Sequence, residues 1–175
     1  MIRPLATTLA AVLALSIRQS LAPYVPTPHD IVDRMLSLAA VTRSDVVYDL
    51  GCGDGRIPIA AAAKYGARGI GIDIDPRRIA EARSNAKAAG VEHLVEFRLD
   101  DAMSADVSQA TVVTLYLLAS GNAKLRPMLK RQLRPGARIV SHAFSMGPGW
   151  PADRIDQFTT ERGDEITLYL WRIAD

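Results

Sequence analysis

Cysteine is almost absent: Cys52 is the only one in 175 residues, so no disulfide can form within the chain. Its neighbours Gly51 and Gly53 make small size the simplest reason for it. Three scattered histidines and one cysteine give no metal-ligand spacing, so no metal site is expected. Charge of one sign is also lacking. A formal net charge of +2 is too mild to argue for nucleic acid. Aromatic residues are only 6 % of a chain that is 49 % apolar, so the core must be mainly aliphatic. Repeats and low-complexity tracts are missing, and nothing marks a second domain. What remains is one domain, long enough to bury a core without cross-links.

The most informative stretch runs from Val46 to Arg56. Val46-Val47-Tyr48-Asp49-Leu50 reads as a buried strand, Gly51-Cys52-Gly53-Asp54-Gly55 as a tight turn, and the residues after it as a helix. About twenty residues beyond Gly53 comes Gly71-Ile72-Asp73, an acid at the end of another apolar run. This is one half of a nucleotide-binding α/β unit. The glycines allow close backbone approach, and the acid can accept the two hydroxyls of a ribose. The pattern differs from G-x-G-x-x-G, whose helix N-terminus holds a pyrophosphate. Here Asp49 and Asp54 flank the turn and would repel phosphate. They suit a ligand with cationic groups and no phosphate, such as S-adenosylmethionine. A turn without a ligand would leave acids at both strand ends with no packing role.

The rest of the chain alternates in the same way. Thr27 reads as the N-cap of a helix with Pro28 at its first position, carrying Ile31, Val32, Met35 and Leu36 on an apolar face. A helix over 57–65 and a strand over 67–73 follow. Asp75-Pro76 is a cap followed by proline and starts a helix that stops at Gly90, with Arg77, Arg78, Arg83 and Lys87 as a solvated face. Strands are expected over 94–99, 110–118 and 137–144, with a helix over 122–133 between the last two. Segments 156–160 and 166–173 read as a hairpin. The order implies an α/β, doubly wound sheet.

These segments resemble class I S-adenosylmethionine-dependent methyltransferases. Asp49 to Arg56 is similar to the family's first motif, Gly71-x-Asp73 to its second, and Asp101 to the acid at the end of its third strand. The resemblance implies a Rossmann-like, mostly parallel seven-stranded sheet with an antiparallel C-terminal strand. From Tyr24 to Trp171 the chain looks like the small protein-lysine methyltransferases of archaea, related mitochondrial enzymes and their bacterial relatives. Tyr24-Val25-Pro26-Thr27-Pro28, Ala110-Thr111-Val112-Val113, Pro135-Gly136-x-Arg138-Ile139-Val140-Ser141-His142 and Gly149-Trp150 carry this likeness. Ala119-Ser120-Gly121 departs from it after the fourth strand. The Asn/Asp-Pro-Pro-aromatic motif of DNA and glutamine N-methyltransferases is absent, which argues against those acceptors.

The resemblance implies S-adenosyl-L-methionine as cofactor. Asp49 and the Gly51 and Gly53 backbone would hold its methionine end, Asp73 its ribose and Asp101 its adenine amino group, with Asp100 competing for the last role. Arg56 would pair with Asp54 or with the cofactor carboxylate. The implied activity is methyl transfer to lysine of a protein partner. The alternatives are a small-molecule or lipid methyltransferase and a non-catalytic cofactor-binding protein. No nucleic-acid partner is expected. Without an inserted substrate domain, the pocket should open onto a shallow surface that admits a protruding side chain. At pH 7 only about one lysine in 2,500 is neutral, so the acceptor side must favour the free amine. Tyr24, Tyr116 and His142 lie near the expected strand ends and are the candidates, with Tyr24 also placed to fold over the cofactor.

Residues 1–22 form a separate segment before a methyltransferase domain over 23–175. Arg3, the apolar run over 5–17 and Ser20-Leu21-Ala22 have the form of a secretory signal or a short anchor. Arg18 close behind the run and Pro23 after the small residues are a poor cleavage context. An alanine-rich helix packed on the domain is the alternative. Membrane association would run through residues 5–17. Export or anchoring conflicts with a cofactor made in the cytosol, so the compartment stays open.

Overall fold

The computed structural model describes residues 20–174. The chain forms α1 His29–Leu38, β1 Val46–Leu50, α2 Arg56–Tyr65, β2 Arg68–Asp73, α3 Pro76–Ala88 and β3 Val95–Leu99. It continues as β4 Val112–Leu115, α4 Ala119–Gln132, β5 Arg138–His142, β6 Arg154–Thr159 and β7 Glu165–Arg172. One seven-stranded sheet results, in the order β3-β2-β1-β4-β5-β7-β6. Neighbours among β1 to β5 pair in parallel, and β7 runs antiparallel to both β5 and β6. The expected doubly wound sheet is therefore present. The winding reverses between β1 and β4, which opens a crevice at their carboxyl ends.

Strand alternation distributes the core over both faces. Val47 packs with Ile31, Met35 and Leu36 of α1 and with Ile57 and Ala61 of α2. Tyr48 and Leu50 point the other way, toward Leu125 and Leu129 of α4 and the fully buried Trp171. Trp171 donates its indole N–H to the Trp150 carbonyl at 2.9 Å, which ties the 149–150 turn to β7. β4 is buried along its whole length, as a central strand covered on both faces must be. A third cluster joins Cys52 and Ala62 to Ala82 and Phe97. It exists because Gly71 has no side chain: a Cβ there would lie 2.6 Å from Phe97 and 2.8 Å from the Cys52 sulfur.

Besides shifts of one or two residues at other strand and helix ends, three boundaries differ from the sequence expectation. Thr27 is not the N-cap of α1. Pro28 occupies that position without a side-chain bond, while Thr27 is buried and its carbonyl accepts from Arg56 at 2.8 Å. β4 stops at Leu115 rather than at 118, because Tyr116 to Leu118 leave the ladder and turn toward the crevice. α4 begins at Ala119, so Ala119-Ser120-Gly121 are its first turn and Asn122 lies inside it. The expectations for residues 1–19 lie outside the described residues. Among the described residues no helix is long and apolar enough to cross a membrane.

A polar cluster fixes the opposite end of the sheet. Asp45, just before β1, accepts from Thr111 Oγ1 at 2.6 Å, Arg138 Nη2 at 2.9 Å and the Thr42 amide at 2.7 Å. Arg138 also donates to the Ala39 carbonyl at 3.0 Å, so α1, β1, β4 and β5 meet at one carboxylate. Burial works against its charge, but the hydrogen bonds together hold its pKa below the ordinary value. Asp45→Ala should cost about 3 kcal/mol in urea unfolding, because it leaves the Arg138 charge unpaired in a poorly solvated site. A carboxylate with a depressed folded-state pKa stabilises above the unfolded value near 3.8. In wild type that contribution should fade as pH falls through the folded value, and the variant should lack this part of the acid dependence.

Candidate active site

The crevice between β1 and β4 is a cavity of about 820 Å³, within the range of small-molecule sites. Four segments line it: the turn after β1, the end of β2 with the start of α3, the lead-in over 20–27, and Tyr116 to Leu118. Tyr24, Val25 and Leu118 are exposed apolar residues at this cavity.

The turn after β1 is folded inward on its own donors. The Gly51 and Cys52 amides both donate to the Ile72 carbonyl, at 2.8 and 3.0 Å. The Gly53 amide donates to Asp73 Oδ2 at 2.8 Å, and the Asp75 amide to Asp73 Oδ1 at 2.9 Å. Amides that would cradle a phosphate in a dinucleotide turn are thus already used. Asp49, Asp54, Asp73 and Asp75 stand in the cavity wall with Arg56, Arg77 and Arg78; Arg56 pairs with Asp54 and Arg77 with Asp75, which leaves Asp49 and Asp73 without an arginine partner among the described residues. Such a wall fits a ligand bearing an ammonium, a sulfonium and ribose hydroxyls, and it does not fit a pyrophosphate.

Asp49 is the most perturbed of these acids. It is 3 % exposed and accepts one short bond, from Thr114 Oγ1 of β4 at 2.8 Å. Burial, with Asp73 and Asp54 nearby, pushes its pKa up to about 7. A cation bound beside it would offset that cost.

Tyr24 lies directly over the turn. A Cβ on Gly53 would sit 2.5 Å from the tyrosine ring, so glycine is required there by contact as well as by its φ of +53°. The Arg78 guanidinium covers the ring at 3.5 Å from its centroid. Arg56 pairs with Asp54 at 2.5 Å and reaches the Thr27 carbonyl, clamping the lead-in to the turn. Arg78 and Arg83 therefore depart from the expected solvated face: the first stacks on Tyr24, and the second donates to the Phe97 carbonyl at 2.8 Å. Cys52 is buried and its thiol is pushed strongly up by burial, which leaves it unreactive and fits the small-size reading.

A smaller recess beside the turn is lined by Asp100, Asp101, Ala102, Ile74 and Leu117. Asp101 Oδ1 accepts from the Met103 amide at 2.9 Å, and Asp100 Oδ1 from the Asp101 amide at 2.7 Å. Both acids thus shape their own loop while bordering the recess. Across the cavity Tyr116 is half-buried and stacks on His142 at 4.0 Å between ring centroids. His142 is 4 % exposed, and burial lowers its pKa to about 4.

The structure brings together Asp49, Gly51, Gly53, Asp73, Tyr24 and Tyr116 around one cavity and puts Asp101 in the adjoining recess. His142 borders the cavity only through Tyr116. Three contributors carry no signal in the sequence. Thr114 reads as one β-branched residue in an apolar run. Arg78 reads as surface. Asn122 reads as a helix start, but it is fully buried and donates to Ser141 Oγ at 3.0 Å and the Phe144 carbonyl at 2.9 Å.

Known proteins are similar to this chain. The ANTKMT methyltransferase domain family matches residues 49–154. A protein-lysine N-methyltransferase of Saccharolobus islandicus is 42 % identical over 155 residues, covering 87 % of this chain and 94 % of its own length. A lysine N-methyltransferase of Xenopus laevis, named for its action on an ATP synthase component, is 31 % identical over 82 % of this chain and 62 % of its own length. A crystal structure of an RNA methyltransferase from Salinibacter ruber with S-adenosyl-L-homocysteine is 57 % identical, with a TM-score of 0.80. It covers 86 % of this chain and 95 % of its own.

Asp49 should make the ligand-free protein pH-sensitive. A carboxyl whose folded pKa is raised from 3.8 to about 7 destabilises the fold increasingly between those values and by a constant amount above them. Asp49→Asn should therefore raise the melting temperature at pH 8 relative to wild type and make little difference at pH 4. It should also weaken binding of a ligand that sets an ammonium group beside it. Melting curves across pH with and without S-adenosylhomocysteine check both.

Proposed function

The chain belongs to the ANTKMT methyltransferase family, and on that premise we propose that it transfers methyl from S-adenosylmethionine to the ε-amino group of a protein lysine. The observation that carries this reading is the 42 % identity to the Saccharolobus islandicus protein-lysine enzyme across 94 % of that enzyme. The site agrees with it, since the exposed mouth at Tyr24, Val25 and Leu118 admits a side chain projecting from a large partner.

When bound, the cofactor supplies an electrophilic methyl group on a cationic sulfur. The residues then divide the work of holding and aligning it. Asp49 and the Gly51 and Gly53 backbone hold the methionine end, with the Asp49 charge opposite the ammonium. Asp73 accepts the ribose hydroxyls through the lone pairs that its two amide bonds leave free. Asp101 accepts the adenine amino group, and Ile74, Ala102 and Leu117 contact the ring. Tyr24 covers the turn and excludes water. Tyr24, Tyr116 and His142 make up the acceptor side.

A second reading is methylation of RNA, favoured by the description of the 57 % identical Salinibacter ruber protein. Against it stands the small net charge, which offers little to a phosphate backbone. Residues 1–22 remain a proposed export or anchoring segment, with association through residues 5–17. Ser20, Leu21 and Ala22 already line the cavity, so a cut after Ala22 would remove part of its wall.

Purified protein incubated with labelled S-adenosylmethionine and a cell extract tests the acceptor. Label should be sensitive to protease, resistant to ribonuclease, and recovered as methyl-lysine after hydrolysis. Ribonuclease-sensitive label would favour the second reading. Label in lipid or small molecules, or none at all despite cofactor binding, would overturn both. Asp73→Ala should weaken S-adenosylhomocysteine about a hundredfold in calorimetry, from the loss of hydrogen bonds to a charged acceptor. Unchanged affinity would refute the ribose assignment.

A further inference from the structure

Three side chains make up the proposed acceptor side, and the structure separates them. Tyr24 is engaged, with Arg78 on one face of its ring and Gly53 against its edge. His142 is almost fully buried and is absent from the cavity wall. Among the described residues its Nδ1 has no hydrogen-bond partner, and burial keeps the ring neutral down to about pH 4. A base with so low a pKa cannot hold a proton taken from a lysine ammonium. Tyr116 itself lines the cavity, and its ring is held by the stack on His142.

Its position is also suitable. Leu50 of β1 lies opposite Leu115 of β4, so Tyr116 is level with Gly51 at the start of the turn. The tyrosine therefore faces the methionine end of the cofactor site, where the methyl group must lie. The stack on His142 holds the ring at 4.0 Å and 30° between planes. His142 is itself held at the end of β5 by an unusual turn. Ala143 has a φ of +65°, which a non-glycine residue adopts only under constraint. The Phe144 amide closes back on the His142 carbonyl at 2.8 Å, and the Phe144 carbonyl accepts from Ser141 Oγ at 2.7 Å and from Asn122 Nδ2 at 2.9 Å. α4 thus pins the turn that carries the imidazole.

We propose that the Tyr116 hydroxyl accepts an N–H of the incoming lysine amine and so turns the nitrogen lone pair toward the methyl group, with the His142 ring holding the tyrosine in place. This rests on the protein-lysine reading above. The lone pair forms the new N–C bond, the C–S pair stays on sulfur, and the extra proton on nitrogen leaves to water. Tyr116 touches the acceptor, whereas His142 is a positioning residue that acts through it.

The test compares Tyr116→Phe, His142→Phe and His142→Ala on a methyl-accepting protein. Calorimetry with S-adenosylhomocysteine and melting curves are run beside the kinetics. Tyr116→Phe should lower kcat by about ten- to a hundredfold, the scale of a misplaced reacting atom. Its KM should change little, and cofactor affinity should stay within about twofold, since only one N–H contact is lost. His142→Phe keeps a flat ring and should retain most of kcat. His142→Ala should fall nearly as far as Tyr116→Phe. Full kcat in Tyr116→Phe, with lysine methylated by wild type, would overturn this inference alone. Equal losses in His142→Phe and His142→Ala, both folded, would overturn the stacking role and assign the effect to the imidazole nitrogens. A wild type that methylates no lysine would overturn the inference together with the reading beneath it.

Discussion

The hydrogen bond from the Gly53 amide to the Asp73 carboxylate is the constraint on which the site depends. It joins the turn after β1 to the tip of β2, at 2.8 Å, and with the Asp75 amide it uses both carboxylate oxygens. The Gly51 and Cys52 amides are spent on Ile72 in the same way. A turn closed like this presents acidic groups where a dinucleotide turn presents donors. The choice of a sulfonium cofactor over a phosphate cofactor thus follows from where three N–H groups point. The same acid that would hold the ribose also shapes the turn beneath it.

Asp49 shows the energetic side of this design. A charge buried at the end of the central strand, with Thr114 as its one neutral donor among the described residues, costs stability in the free protein. The opposite end of the sheet is built in the contrary sense. There Asp45 meets Arg138, Thr111 and Thr42, so its charge is compensated within the fold. One end of the parallel sheet is tied together, and the other carries an acid with a spare oxygen. That asymmetry is what a binding site at the reversal of an α/β sheet requires.

The acceptor side follows different rules from the cofactor side. Methyl transfer needs alignment more than acid–base help, so the groups that matter there are those that orient an amine. The buried imidazole, the Ala143 turn at a φ of +65° and the buried Asn122 lie behind one ring, that of Tyr116 stacked on His142. Relatives described as acting on protein lysine and on RNA share this scaffold.

Much of this was legible in the residue order. The strand, glycine turn and helix from Val46, the acid at Asp73 and the Asp75-Pro76 cap are legible at the right places, because each rests on contacts within a few residues. Periodicity likewise locates all seven strands, although β4 ends early: an apolar run cannot tell a ladder from a segment leaving it toward a crevice. The cap expected at Thr27 fails: Pro28 takes the N-cap position, and the Thr27 carbonyl accepts instead from Arg56, 29 positions away. Arg78 over Tyr24, Thr114 beneath Asp49 and Asn122 behind His142 carry no local signal. Composition and spacing by themselves determined the fold class and the cofactor chemistry, since turns, caps and strand patterns are local physics. Which oxygens are satisfied, which acid is left wanting a cation and which tyrosine stacks on a buried imidazole were decided only by tertiary packing, because those depend on neighbours that the chain brings together from far apart.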